Sequence, residues 1–163
     1  MPFAVITDAT SSLGDEHLSD QGTPPAVVPS PQCVGLWSVP LNVSETTDRA
    51  VTSQPSLAQV SQVMRAACEA GATSVVCPVI SARISGTGQA FTAAAQELGI
   101  DHEVIDTRVV GGALGLAALA ALRGTSPAQA AALAREVAAK STTTLMVTDL
   151  KPLVKGGRLS APT

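Results

Sequence analysis

From residue 56 onward the chain alternates short apolar runs with capped amphipathic stretches, and few folds accommodate that alternation. Ser56-Leu57-Ala58-Gln59 has capping-box spacing, in which a hydroxyl and an amide satisfy free N–H groups of a first helical turn. Leu57, Val60, Met64 and Ala67 then recur on one helical face, and Gly71 is placed to end the helix. Residues 74–80 (SVVCPVI) read as a strand, 86–98 as a helix closed by Gly99, and 102–106 (HEVID) as the next strand. An Ala/Leu helix follows to Arg123 and stops at Gly124. Ser126-Pro127-Ala128-Gln129 repeats the capping box with proline at the first helical position, opening a helix that runs to Lys140. TTLMVT (143–148) is expected to be a further strand. Ahead of these, FAVITD (3–8) suits a buried strand, and residues 14–35, rich in Gly, Pro and Ser, read as an irregular loop. LWSVPLNV (36–43) reads as a strand that Pro40 confines to an edge or a bulge.

Strands alternating with helices predict an α/β fold, a parallel sheet with helices on both faces. Right-handed crossovers bring the turns after the strands to one edge, where such sheets bind ligands. Those turns are Asp8 to Ser12, Ser81 to Thr87, Asp106-Thr107 and Thr148-Asp149, and Thr52-Ser53-Gln54 is expected to join them. The edge is rich in hydroxyls. Hydroxyls and free N–H groups at a helix N-terminus hold anions, because donors and dipole point the same way. Gly86 and Gly88 would let a ligand approach the backbone closely. A single serine or threonine here reads as a helix cap; the cluster reads as an anion site.

The phosphate-loop pattern GxxxxGK[ST] is absent, and no GxGxxG follows the first strand, so nucleotide binding is poorly supported. The glycines of 111–122 read as positions of close helix–sheet packing. Asp8 and Asp106 at one edge would permit Mg²⁺, and with it a small Mg-dependent phosphotransferase using Asp8 as nucleophile. Against that reading, Ala9 follows Asp8 and no second carboxylate stands two residues on, so Asp8 reads as a turn-former. GxSxG is missing, and no catalytic residue or metal ligand is assigned. DLKPLVKGGRLS (149–160) reads as a short helix stopped by Gly156-Gly157, leaving Arg158 free for a carboxylate or phosphate.

Composition narrows the remaining classes. With 163 residues there is room for one domain and part of a second; 45% are hydrophobic but only 2% aromatic, so Ala, Val, Leu and Ile must build the core. Net charge is −3 and the ten basic residues are scattered, which argues against nucleic acid. Cys33, Cys68 and Cys77 form no CxxC pair and read as inert thiols in a reducing compartment. The N-terminus lacks signal-peptide character, and Val109 to Leu122 falls short of the ~20 residues a membrane span needs. A cytoplasmic protein is expected.

VITDATSSL (5–13), VTSQPS (51–56), ISARISGTGQAF (80–91), VIDTRVVGGALG (104–115) and LKPLVKGGRLS (150–160) together resemble the DegV family of bacterial lipid-binding proteins. The stretches occur in family order across nearly the whole chain. The resemblance implies a DegV-like N-terminal domain that buries one long-chain fatty acid and presents its carboxylate to a fatty-acid kinase subunit. The carrier is then not itself the catalyst, needs no cofactor beyond the bound lipid, and makes at most transient membrane contact. Carried over by residue, Thr52, Ser53, Ser85 and the Gly86 backbone would hold the carboxylate, with Arg158 near the head group or at the kinase contact. Departures are Ala9 and Ala82, where the family usually has serine, and the segment from Ser12 to Pro40. The family continues past KGGR into a second domain. The resemblance therefore places residues 1–150 as the head-group domain and 151–163 as the start of a linker to a domain missing here. Burying a sixteen-carbon tail offers on the order of 10 kcal/mol, at roughly 0.8 kcal/mol per CH₂. Without half the tunnel, this chain alone is expected to bind fatty acid weakly or not at all. An interaction module that binds no lipid is the other alternative.

Overall fold

A computed structural model describes residues 1–14, 17–18, 29–46, 49–147 and 149–160. The elements in chain order are strands β1 (Phe3–Asp8), β2 (Cys33–Val39), β3 (Asn42–Thr46) and β4 (Arg49–Ser53), then helix α1 (Leu57–Glu69). Strand β5 (Ser74–Val79), α2 (Thr87–Leu98), β6 (Asp101–Asp106), α3 (Gly112–Ala121), α4 (Pro127–Ala139) and α5 (Lys151–Lys155) follow. Four strands form a parallel sheet in the order β2-β1-β5-β6, and β3 and β4 pair antiparallel beside it.

Side-chain alternation along the central strands divides the core in two. Ala4, Ile6, Val75 and Cys77 face one side, where Val60, Met64 and Ala67 of α1 and Phe91, Ala94 and Ala95 of α2 cover them. Phe3, Val5 and Val76 face the other, packed with α3 and α4. With so few aromatics this second layer is built on alanine: Ala117, Ala118, Ala121, Ala130, Ala131 and Ala134 are all fully buried. Such small side chains let α3 and α4 approach each other and the sheet closely. Gly115 shows how closely, since a Cβ there would stand 2.6 Å from the Ser11 carbonyl oxygen. Cys33 and Cys77 are buried in these layers, and Cys68 is half-buried. Burial pushes the Cys33 thiol up to about 11 and raises Cys77 further, so both resist ionisation. Among the described residues no helix is long and apolar enough to cross a membrane.

The structure corrects several expectations. The strand expected from residue 36 starts at Cys33, inside the stretch read as loop, because it pairs with β1 from Phe3↔Cys33 onward. Residues 15–16 and 19–28 of that loop lie outside the described residues. Pro40 separates β2 from β3 instead of bulging one strand, and β2 does lie at the sheet's edge, the other expected outcome. Leu57 leaves the buried face of α1 and is 43% exposed. At α4 the box is shifted: Ser126 Oγ accepts from Gln129 N, but Gln129 Oε1 accepts from Thr125 N (2.7 Å) and Thr125 Oγ1. The TTLMVT segment is irregular through Val147, with Thr148 outside the described residues. Its β-formers find no ladder among the described strands, and Leu145, Met146 and Val147 stay exposed.

One irregularity in the sheet shapes its upper edge. The β1–β5 ladder pairs Phe3, Ala4 and Val5 with Ser74, Val75 and Val76, and goes no further. Pro78 turns its carbonyl toward β1, where Thr7 Oγ1 donates to it at 2.8 Å. A residue's N–H and C=O point to the same side of a strand, so the donor that proline lacks is missing from this same ladder. Side chains replace the lost backbone bonds: Thr7 Oγ1 to Pro78 O, and Ile80 N to Asp8 Oδ2 at 2.9 Å. β1 and β5 therefore part at their carboxyl ends. The order also reverses here, since the chain proceeds outward to β2 on one side and to β6 on the other. Open parallel sheets bind ligands at such switch points.

Candidate functional site at the carboxyl ends of the strands

Three turns converge on this crevice. The first follows β1, where Asp8 Oδ1 accepts from Thr10 N at 3.0 Å and from Thr10 Oγ1, and Oδ2 accepts from Ile80 N. Asp8 is fully buried, so these bonds hold the turn and leave little of the carboxylate for a ligand. Asp106 is likewise committed: its Oδ1 accepts from Ala82 N and Arg108 N, both at 3.1 Å. With β5 between β1 and β6, the two aspartates stand two strands apart, ~10 Å at ordinary strand spacing. They do not converge on one cation. Among the described residues, no three His, Cys, Asp or Glu side chains gather as a metal site would require. Asp8 is the turn-former that its sequence context predicts.

The second turn joins β5 to α2 and carries Ser85 and Gly86. Ile84 N and Ser85 N both donate to Ser81 O at 3.1 Å, winding the segment into a compact turn. Ser85 Oγ lies 2.8 Å from Thr87 Oγ1 and accepts weakly from Thr87 N at 3.3 Å. Gly86 is the N-cap of α2 and, lacking a side chain, makes no cap hydrogen bond of its own. The first-turn N–H groups thus open toward the edge beside a half-buried hydroxyl, the chemistry of a carboxylate or phosphate site.

The third element is the turn after β4. Thr52 is placed by its backbone, opposite Val43 in the β3–β4 pair, and Ser53 ends β4 exposed. Asn42 Nδ2 donates to Gln54 O at 3.2 Å, fixing the turn to the start of β3. A Cβ built on Gly86 would overlap Gln54 Oε1, so Gln54 lies directly over the glycine. Gln54 thereby reaches the α2 N-terminus. Glycine at 86 is needed for this approach rather than for its dihedrals, which at φ −79° suit any residue.

Arg158 also arrives here. α5 ends at Gly156, and Gly157 takes a left-handed φ of 73° that reverses the chain. Arg158 Nε then donates to Ile84 O at 3.3 Å, so this guanidinium is docked on the Ser85 turn and not free. Of the sequence-predicted residues, the fold brings Ser85, Gly86 and Arg158 onto one turn, and the neighbour of Ser53 onto it. Sequence reasoning missed Arg83 and Arg108, which with Arg158 line a cavity of about 270 Å³ next to Ile84. No local signal marks them, because they sit on unrelated turns of the chain.

Comparison with known proteins agrees with this architecture. The profile of the DegV family, described as uncharacterised, matches residues 40–163. A DegV domain-containing protein of Streptomyces coelicolor is 34% identical over 114 residues, covering 68% of this chain and 41% of its own. A Thermus thermophilus DegV family protein, whose structure concerns fatty-acid binding, superposes with a TM-score of 0.65 at 27% identity, over 85% of this chain and 54% of that one. The fold also matches Bacillus subtilis DegV, a fatty-acid-binding protein, with a TM-score of 0.73 at 23% identity, over 98% and 62% of the two chains. In each case the chain spans less than two thirds of its relative's length. The chain belongs to the DegV family.

Proposed function

We propose that this chain binds a long-chain fatty acid, holds its carboxylate at the Ser85–Gly86 turn, and presents it to a cytoplasmic fatty-acid kinase subunit for phosphorylation. The observation that carries the reading is the meeting of Ser85, the uncapped Gly86 end of α2, Gln54 and docked Arg158 at one strand-end crevice. The fatty-acid binding of the Thermus relative supports the ligand class. In this reading Ser85 Oγ and the first N–H groups of α2 donate to the carboxylate, Thr52 or Ser53 supplies a further hydroxyl, and Arg158 offsets the charge. The commitment of Asp8 and Asp106 to backbone N–H groups supports a carrier that leaves phosphoryl transfer to its partner. Chain burial would supply affinity, and the turn would supply orientation.

Native mass spectrometry with added palmitate tests the proposal. A weak 1:1 adduct, indifferent to EDTA, is expected at high palmitate. A hydrogen bond to a charged group contributes about 1.5–3 kcal/mol, so Ser85→Ala should weaken the adduct by roughly 10- to 100-fold. Equal binding by wild type and Ser85→Ala would sink the assignment of the turn, and absence of any adduct would sink lipid binding by this chain.

A further inference from the structure

The ten basic residues look scattered in sequence, yet three of them line one small cavity. Arg83 follows β5, Arg108 follows β6 and Arg158 follows α5, and together they line the groove of about 270 Å³. In a chain of net charge −3 this is a local concentration of positive charge. Among the described residues, the ion pairs Arg135–Glu103 and Lys140–Glu136 do not involve any of them. Asp106, the nearest carboxylate in sequence to Arg108, is turned to the backbone N–H groups of Ala82 and Arg108. Arg108 itself adopts a left-handed φ of 59°, uncommon for a residue with a side chain. The groove also has an apolar wall, Val109 and Val110, and a hydroxyl: Thr143 Oγ1 accepts from Val110 N and donates to Val110 O.

Three guanidinium groups offer more charge and more directed donors than a carboxylate monoanion can use. A phosphate dianion has three or more acceptor oxygens and matches guanidinium forks in geometry and charge. We propose that the Arg83–Arg108–Arg158 groove binds a phosphate monoester whose apolar substituent lies on the Val109–Val110 wall. The groove adjoins the Ser85 turn through Ile84 and shares Arg158 with the carboxylate reading, while Arg83 and Arg108 belong to the groove alone, so substitutions there test this inference separately.

Titration of the ¹⁵N-labelled chain with hexyl phosphate at low ionic strength tests it. Saturable amide shifts are expected at residues 83–85, 108–110 and 143, with hexanoate binding at least several-fold more weakly. Arg83→Gln and Arg108→Gln should each reduce affinity by about 3- to 10-fold, as loss of one charge-assisted contact implies. Arg65→Gln, on α1, should change nothing. A second arm uses vesicles containing phosphatidic acid. Sedimentation with these vesicles that is lost in Arg108→Gln, and that hexyl phosphate does not displace, would place the phosphate on a lipid headgroup. Displacement by hexyl phosphate would place it on a soluble ester. Either variant binding like wild type, with the amides of the sheet unshifted and so the fold intact, overturns the proposal. So does the absence of binding in both arms.

Discussion

Of the four helices that pack on the sheet, two begin on serine and two on glycine. At α1, Ser56 Oγ accepts from Gln59 N, and Gln59 Oε1 accepts from Ser56 N at 2.8 Å. At α4, Ser126 Oγ likewise accepts from Gln129 N, while the Gln129 side chain turns to Thr125. At α2 and α3 the N-caps are Gly86 and Gly111, which have no side chain to close the turn; at α2 only Ser85 Oγ, one residue earlier, accepts weakly from Thr87 N. The closed ends spend their donors on the chain itself. The open ends both face the strand-end crevice, and one of them carries Ser85. Within one molecule the same structural position thus carries a capping serine in two helices and a glycine with no side chain in the other two.

Substitutions at these four positions would break or sharpen that contrast. The largest loss of stability is expected from Gly111→Ala, because φ 67° and ψ −144° belong to a region essentially reserved for glycine. The cost should be about 1–3 kcal/mol by urea denaturation, and an unchanged midpoint would mean that the α3 entry can rearrange. Ser56→Ala and Ser126→Ala should each cost about 1 kcal/mol and add in the double variant, since the caps share no partner. Neither should alter palmitate binding; an effect of Ser56→Ala on the ligand would erase the distinction between closed and open ends. Gly86→Ala should move stability least, within about 0.5 kcal/mol, because its dihedrals are ordinary and only the far end of the Gln54 side chain must shift. Its effect should instead fall on palmitate affinity. A loss of stability above ~1 kcal/mol would show Gln54 to be a structural cap rather than part of a site.

The closed ends were also the most legible part of the sequence. A serine three residues before glutamine is a local signal, and Ser56 behaves as that signal says; at α4 the partner of Gln129 shifts to Thr125, a change of one residue that spacing alone does not resolve. The buried strands were readable for the same reason, as unbroken apolar runs. What failed depended on distant partners. The apolar β-formers 143–147 fit a strand in isolation, but a strand exists only beside a neighbour. The β3–β4 pair escaped notice because SET and TS are polar and carry no clear alternation, although their backbones pair as a two-stranded sheet of their own. At the site, Ser85, Gly86 and Arg158 were legible as a cluster and through family resemblance. The contact of Gln54 with Gly86 and the gathering of Arg83 and Arg108 were not, because only the fold brings those turns together.

Pro78 has a consequence for binding thermodynamics. Where two strands must be prised apart to admit a ligand, the work of separation is subtracted from the affinity. Here the parting of β1 from β5 is written into the covalent chain by a residue that has no donor to offer, and Thr7 and Asp8 bridge the gap with side chains. A ligand entering at that edge would find no β1–β5 backbone hydrogen bonds to break beyond Val5 and Val76, so that work would not be subtracted from its affinity.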